Sequence, residues 1–170
     1  MDLSPHQVER HDVVGNVFDL PVEAIVNPWN TNRVPRWLLR SGGVSGQLRR
    51  RAGTAVFREL AGAGPLPLGQ AVVTGGGNLE QTIIHVAVIG PLQRARTETV
   101  EACMASAVRC ALDRGISSMA TPLLGAGHGH LDSTSAHHAL TRALDGIDTD
   151  GRHLTVFIAD PAPMTWAPTS

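Results

Sequence analysis

The chain has 170 residues, 42% of them hydrophobic, and a formal net charge of −1. That content suits the core of one compact domain, residues 1–170, and excludes a global field that would draw nucleic acid or an acidic membrane surface. It has no apolar run of membrane length, signal peptide or lipidation motif, so a cytoplasmic monomer is expected. All fourteen basic residues are arginine, which rules out any mechanism that needs a lysine amine and, with abundant Ala and Gly, suggests a GC-rich coding sequence.

In chain order, Gln7 to Val14 has the length of a strand, broken by Gly15-Asn16. Val22 to Val26 reads as a short buried strand ending at Asn27-Pro28-Trp29-Asn30. Thr31 to Gly43 is irregular, with Pro35, Trp37 and Gly42-Gly43, and a connection of that length is usually functional or mobile. Ser45 is placed to cap a helix from Gly46 to about Leu60, with a possible break at Gly53. The Arg49-Arg50-Arg51 run within it is expected to form a solvated face. After the Gly/Pro linker Gly62–Leu68, strands are predicted at Gln70–Thr74 and Thr82–Ile89, separated by a turn at Gly75–Asn78. A helix follows over Thr97–Arg114, with Val100, Met104, Ala107, Val108 and Leu112 facing inward. Cys103 and Cys110, two turns apart on that helix, are expected as free thiols. Ser117–Leu124 and His153–Ala159 complete the strands, and a loose tail follows at 161–170. Strands alternating with helices define an α/β layered domain with a mixed, largely parallel central sheet.

The stretch Thr121-Pro-Leu-Leu-Gly-Ala-Gly-His-Gly-His-Leu-Asp-Ser133 ends a strand, passes through glycines 125, 127 and 129, and starts a helix capped by Asp132 or Ser133. Two readings stand for it in isolation. Backbone N–H groups at a helix start can hold a phosphate, or the glycines can serve a flexible, closely packed connection. A second loop, Asn27-x-x-Asn30 followed by Ser41-Gly-Gly-Val-Ser-Gly46, also lies between a strand and a helix. Ligands of such sheets sit beyond the carboxyl ends of the strands. A ligand bridging both loops would carry a central diphosphate, with asparagines for sugar hydroxyls.

Here the sequence resembles the macrodomain family of ADP-ribose-binding modules. Gly15-Asn-Val-Phe-Asp-Leu-Pro-Val-Glu-Ala-Ile-Val-Asn-Pro-Trp-Asn30 is similar to the family's opening motif, Gly42-Gly-Val-Ser-Gly46 to its Gly-Gly-Gly-Val-Asp-Gly segment, and Pro122–Gly129 to its diphosphate loop. Pro67–Thr74 and Thr82–Pro91 look like two further family stretches, so the likeness runs from about Val13 to Phe157. It implies a three-layer α/β/α fold and ADP-ribose, free or on a macromolecule, as the partner, with no cofactor. By position, Asn16 would accept from the adenine amino group and Val17 would offer its N–H. Asn30 would hold the distal ribose hydroxyls, and Asn27 would also belong to the ADP-ribose-binding set. Gly42, Gly43, Val44 and Ser45 would face the phosphates, and Gly125, Ala126, Gly127, His128 and Gly129 would wrap them. Hydrolytic members carry an aspartate where this chain has Ser45, and a serine cannot act unaided as a general base. Helix capping is therefore the competing role for Ser45. The 31–43 segment, with Arg33, Arg36, Trp37 and Arg40, could be a lid or a surface loop with aromatic anchors.

His128 would lie near the distal ribose as a base, or be an exposed loop histidine. His85, within an apolar strand, is expected to be a hydrogen-bonded core residue. His128, His130, His137 and His138 do not form a convincing metal set, so no metal is expected. Three functions remain open: a hydrolase removing ADP-ribose, with Asn30, Ser45 and His128 as tentative catalytic residues; a reader that binds without hydrolysing; and a dinucleotide enzyme in which Asp145, twenty residues past Gly125, binds a ribose.

Overall fold

The computed structural model describes residues 8–30, 43–90 and 94–161. In order these form β1 (Val8–Val14), a 3-10 turn (Val17–Asp19), β2 (Ala24–Asn30), α1 (Gly43–Ala52), α2 (Ala55–Gly62), β3 (Ala71–Thr74), β4 (Thr82–Ile89), α3 (Thr97–Asp113), β5 (Ser118–Pro122), α4 (Ser133–Asp145) and β6 (Leu154–Asp160). The six strands make one sheet in the order β1-β6-β5-β2-β4-β3. All neighbours are parallel except β3, which runs antiparallel to β4. This is the mixed, mainly parallel sheet read from the sequence. Gln7, the 31–42 part of the long connection, Pro91 and the tail from 162 lie outside the described residues.

The two faces of the sheet carry separate cores. Ala24 and Val26 of β2 join Ile84, Val86 and Val88 of β4 against the buried face of α3 and α4. Ile25 and Ile83, one residue out of phase, point the other way into a layer with Leu48, Val56, Phe57 and Leu60 of α1 and α2. β4 is buried on both faces, as its unbroken apolar run requires, with His85 its one strongly polar side chain. In α3 the inward stripe Val100, Met104, Ala107, Val108 and Leu112 is buried. Cys103 is buried and Cys110 half-buried, both free; burial pushes the Cys103 thiol up to about 12. Among the described residues, no helix is long and apolar enough to cross a membrane.

β2 departs from expectation in a way that builds the site. Asn27-Pro28-Trp29-Asn30 does not turn but continues the strand beside β4, with a register shift between Trp29 and Asn30. On its other side, β2 pairs with β5 only at Ala24 and Ile25. Pro28 has no N–H to give a ladder, and it stands where that partner has already left. β5 meanwhile stays with β6 as far as Pro122. The carboxyl ends of β2 and β5 therefore separate, and the chain leaves them toward opposite layers. The crevice between them is the switch point where open α/β sheets place ligands.

Candidate functional site

That crevice opens into a cavity of about 470 Å³, within the range typical of small-molecule sites. One wall is the end of β2 and the start of α1: Pro28, Trp29, Asn30, Gly43, Val44, Ser45 and Arg49. The facing wall is the glycine loop from Gly125 to Gly129 with Ser133. Ala159, Asp160 and Pro161, at the end of β6, also line it.

The first wall differs from expectation at Ser45. Helix α1 begins at Gly43, so Ser45 lies inside its first turn and does not cap it. The break after Ala52, at Gly53-Thr54, is where the sequence placed it. From the first turn the Ser45 hydroxyl has two acceptors for its one proton, Asn27 Oδ1 at 2.9 Å and the Pro28 carbonyl at 3.1 Å. Asn27 was expected to face the ligand; instead it is fully buried and absent from the cavity wall. Strand alternation puts it in phase with Ile25, under α1. Its amide nitrogen meets His85 Nδ1 at 3.0 Å, and His85 Nε2 meets Thr74 Oγ1 at 2.9 Å. His85 is thus the hydrogen-bonded core histidine that the apolar strand implied.

Burial lowers the His85 pKa to about 4 from an ordinary 6.5. The unfolded chain therefore binds a proton that the folded protein refuses between these values. Stability from this group is complete above pH 6.5 and declines as the pH falls toward 4, by about 3 kcal/mol in all. Urea unfolding at pH 7 and pH 4.5 should show this loss, and His85→Gln should flatten that part of the profile.

The glycine loop is held open by its own backbone. Leu131 N donates to Gly125 O, His130 N to Gly127 O, and Ala95 N to Gly129 O. A Cβ on Gly125 would stand 2.7 Å from the Ala95 Cβ, and one on Gly129 2.5 Å from Gly125 O. Gly125 also has φ of +84°. Gly125 is thus required by the Ala95 side chain and its positive φ, and Gly129 by the close approach of the Gly125 backbone. At Gly127, an exposed residue of the cavity wall, a Cβ would meet nothing within 4 Å. Among the described residues, the N–H groups of Gly127, His128 and Gly129 have no acceptor. Asp132 accepts from Ser135 N at 2.8 Å and is the cap of α4. The loop thus offers backbone donors ahead of a helix start, which is the arrangement that holds phosphate.

Two side-chain atoms make the chemistry more specific. Among the described residues, the buried side-chain atoms without a hydrogen-bond partner are Asn30 Oδ1 and Arg49 Nε, and both residues line this cavity. Arg50 is exposed and Arg51 pairs with Asp19 at the surface, as a solvated run should. Arg49 departs from it: its guanidinium lies 4.6 Å over the Phe57 ring, and the residue is half-buried. The signal was legible in helical phase, since Arg49 is four residues past Ser45 and beside the buried Leu48. The wall residues thus keep one acceptor and one donor that the protein itself does not satisfy.

The fold gathers Asn30, Gly43, Val44, Ser45, Gly125, Ala126, Gly127, His128 and Gly129 around the cavity. Gly42 lies outside the described residues. Asn16 and Val17 do not line it. Asn16 Oδ1 accepts from Phe18 N at 3.1 Å, capping the 3-10 turn, and its amide nitrogen donates to Gln47; Val17 is buried. Their neighbour Gly15 donates its N–H to the carbonyl of the wall residue Asp160 at 2.9 Å. Asp160 and Ser133 are wall residues that sequence reading missed: Ser133 reads only as a candidate helix cap, and Asp160 follows the predicted last strand with no motif of its own. His128 is exposed at the mouth. His137 points away, with Nε2 at 2.9 Å from Asp12. Among the described residues, no group of three or more His, Cys, Asp or Glu side chains could hold a metal ion. Asp145 ends α4 and pairs with Arg10 at 3.0 Å on the surface, which removes the structural basis of the dinucleotide-enzyme reading.

A three-layer α/β/α domain with a largely apolar crevice, edged by a few polar groups, at its sheet's switch point is the class these features define. The chain belongs to the macro domain family, whose model matches residues 26–140. It is 35% identical over 120 residues to an uncharacterized protein of Aeropyrum pernix, covering 69% of this chain and 61% of that one. It is 36% identical over 126 residues to a macro domain-containing protein of Streptomyces griseus, covering 68% and 67%. Among solved structures it is similar to the macrodomain of Thermus aquaticus DarG, with a TM-score of 0.71, 26% identity and coverage of 89% and 98%. The Trypanosoma brucei macrodomain in complex with ADP-ribose is similar at a TM-score of 0.70 and 26% identity, with coverage of 89% and 63%.

Proposed function

We propose that this macrodomain binds ADP-ribose in the crevice and releases it from ADP-ribosylated macromolecules by attack of water on the distal ribose. The observation that carries the reading is the pair of unpaired atoms, Asn30 Oδ1 and Arg49 Nε, on one wall opposite the free N–H groups of the glycine loop. ADP-ribose supplies a partner for each: ribose hydroxyls as donors, and diphosphate oxygens as acceptors. The relative solved with ADP-ribose supports the same ligand. Several charge-assisted hydrogen bonds of about 1.5–3 kcal/mol each, less ordering costs, are consistent with affinity on the order of micromolar.

In the hydrolytic step, water oxygen attacks the anomeric carbon of the distal ribose. The bond to the acceptor group breaks, and that group leaves with the electron pair. The water proton passes to a diphosphate oxygen of the substrate. Asn30 and the Gly125–Gly129 loop fix this geometry, with Ser45 and His128 beside it. Orientation alone can contribute on the order of 7–11 kcal/mol at best, so turnover does not require a protein carboxylate in the place of Ser45. A modest rate is expected. The neutral Ser45 also favours a second reading, a reader that binds without cleaving.

Calorimetry with ADP-ribose and NAD should give tighter binding of ADP-ribose, and no heat with ADP-ribose ends the assignment. Incubation with defined ester, nucleobase and O-acetyl linkages should release free ADP-ribose from at least one. No release at long times leaves the reader.

A further inference from the structure

The polar groups behind the first wall are linked, and their protons can be assigned one by one. An amide nitrogen only donates, so Asn27 Nδ2 at 3.0 Å requires a bare Nδ1 on His85. His85 is neutral at pH 7, since its burial lowers the pKa to about 4. Its single ring proton therefore sits on Nε2 and is donated to Thr74 Oγ1 at 2.9 Å. Thr74 passes its own proton to the Gly75 carbonyl at 3.1 Å. At the other end, the two groups that Ser45 Oγ meets, Asn27 Oδ1 and the Pro28 carbonyl, can only accept. The Ser45 proton is committed inward, and since Ser45 is a wall residue, a group approaching its oxygen from the cavity would meet lone pairs alone.

We propose that Asn27, His85 and Thr74 are positioning residues: a one-way hydrogen-bond relay that fixes Ser45 as an obligate acceptor and orients the attacking water. This rests on the hydrolase reading of the cavity. A freely rotating hydroxyl would donate to a phosphate oxygen as readily as it would accept from water. With its proton held, Ser45 repels phosphate oxygens, leaves them to the N–H groups of Gly127, His128 and Gly129, and accepts one proton of a water. The polar stack inside an otherwise apolar layer thereby has a role beyond satisfying its own members.

Long-range proton–nitrogen NMR spectra of the 15N-labelled protein at pH 7 should show His85 with Nε2 protonated and Nδ1 bare. The opposite tautomer overturns the relay, and this measurement needs no substrate. In turnover assays, Ser45→Ala should lower kcat about tenfold, the worth of one hydrogen bond, with KM within about twofold. The isosteric Thr74→Val, which strands the Nε2 proton, should lower kcat by a similar factor, and Thr74→Ser should restore it. The Ser45→Ala/Thr74→Val double variant should be no slower than Ser45→Ala, because both act through one oxygen. Losses that multiply, or a Thr74→Ser variant as slow as Thr74→Val, would overturn the proposal. A wild type that binds ADP-ribose without turnover ends the role in orienting water together with the hydrolase reading, while the tautomer still decides the relay.

Discussion

Gly127→Glu is expected to weaken ADP-ribose binding by at least about a hundredfold while leaving the fold intact. The first half follows from where the side chain goes. Gly127 lines the cavity, and a Cβ there has no neighbour within 4 Å, so a glutamate enters the space the ligand needs. It also brings a carboxylate beside the N–H groups to which the proposed function assigns the diphosphate. Losing two charge-assisted hydrogen bonds at about 1.5–3 kcal/mol each is enough for a hundredfold. The second half follows from the same open space: no backbone has to move, and φ at Gly127 is not in the left-handed region. Calorimetry and a thermal melt on the same sample separate the two. Gly125→Ala is the control with the opposite pattern, because its Cβ collides with Ala95 at 2.7 Å and stability falls. Unchanged ADP-ribose affinity in Gly127→Glu would remove the loop from the binding site.

The sequence displayed the frame of this domain because its frame is built from strong local signals. Apolar runs bounded by glycine and proline mark β4, β5 and β6, and a clean helical period marks α3. The glycine loop was legible for the same reason, since glycines 125, 127 and 129 precede a capped helix. What the sequence hid was direction. Asn27 and Asn30 share one short motif, yet Asn27 points under α1 while Asn30 reaches the cavity after a register shift at Trp29/Asn30. No spacing rule foretells that shift, because it lies in the pairing of β2 with β4, a strand more than fifty residues away in the chain. Ser45 was misplaced by the two or three residues by which helix starts are commonly misjudged, and that small error changed a cap into a cavity-wall hydroxyl. Arg49 was masked by composition: three consecutive arginines look like one solvated patch, although a helix turns each about 100° from the last.

Arg49→Met should lower ADP-ribose affinity between about tenfold and a hundredfold, without lowering the melting temperature of the free protein. Methionine keeps much of the length and apolar contact over Phe57 and removes only the charge and the donors. A hydrogen bond from a cation to a phosphate oxygen is worth about 1.5–3 kcal/mol, which sets the range for affinity. Stability should respond differently. In the free protein, Arg49 Nε is buried without a partner among the described residues, a condition that typically costs about 1–3 kcal/mol. The guanidinium stack on Phe57 returns about 0.5–1 kcal/mol at an exposed site and somewhat more when desolvated. Removing both terms leaves the fold unchanged or slightly firmer, so affinity and stability move apart, as they should at a binding residue held ready at the expense of the fold. Arg49→Lys should recover only part of the affinity, since an ammonium neither stacks on Phe57 nor places a donor at Nε. Salt adds an independent check: the wild type should lose affinity with ionic strength more steeply than Arg49→Met. A variant that melts earlier and binds as tightly as wild type would make Arg49 a packing residue, and the ligand's anion would then rest on the glycine loop and the start of α1 alone.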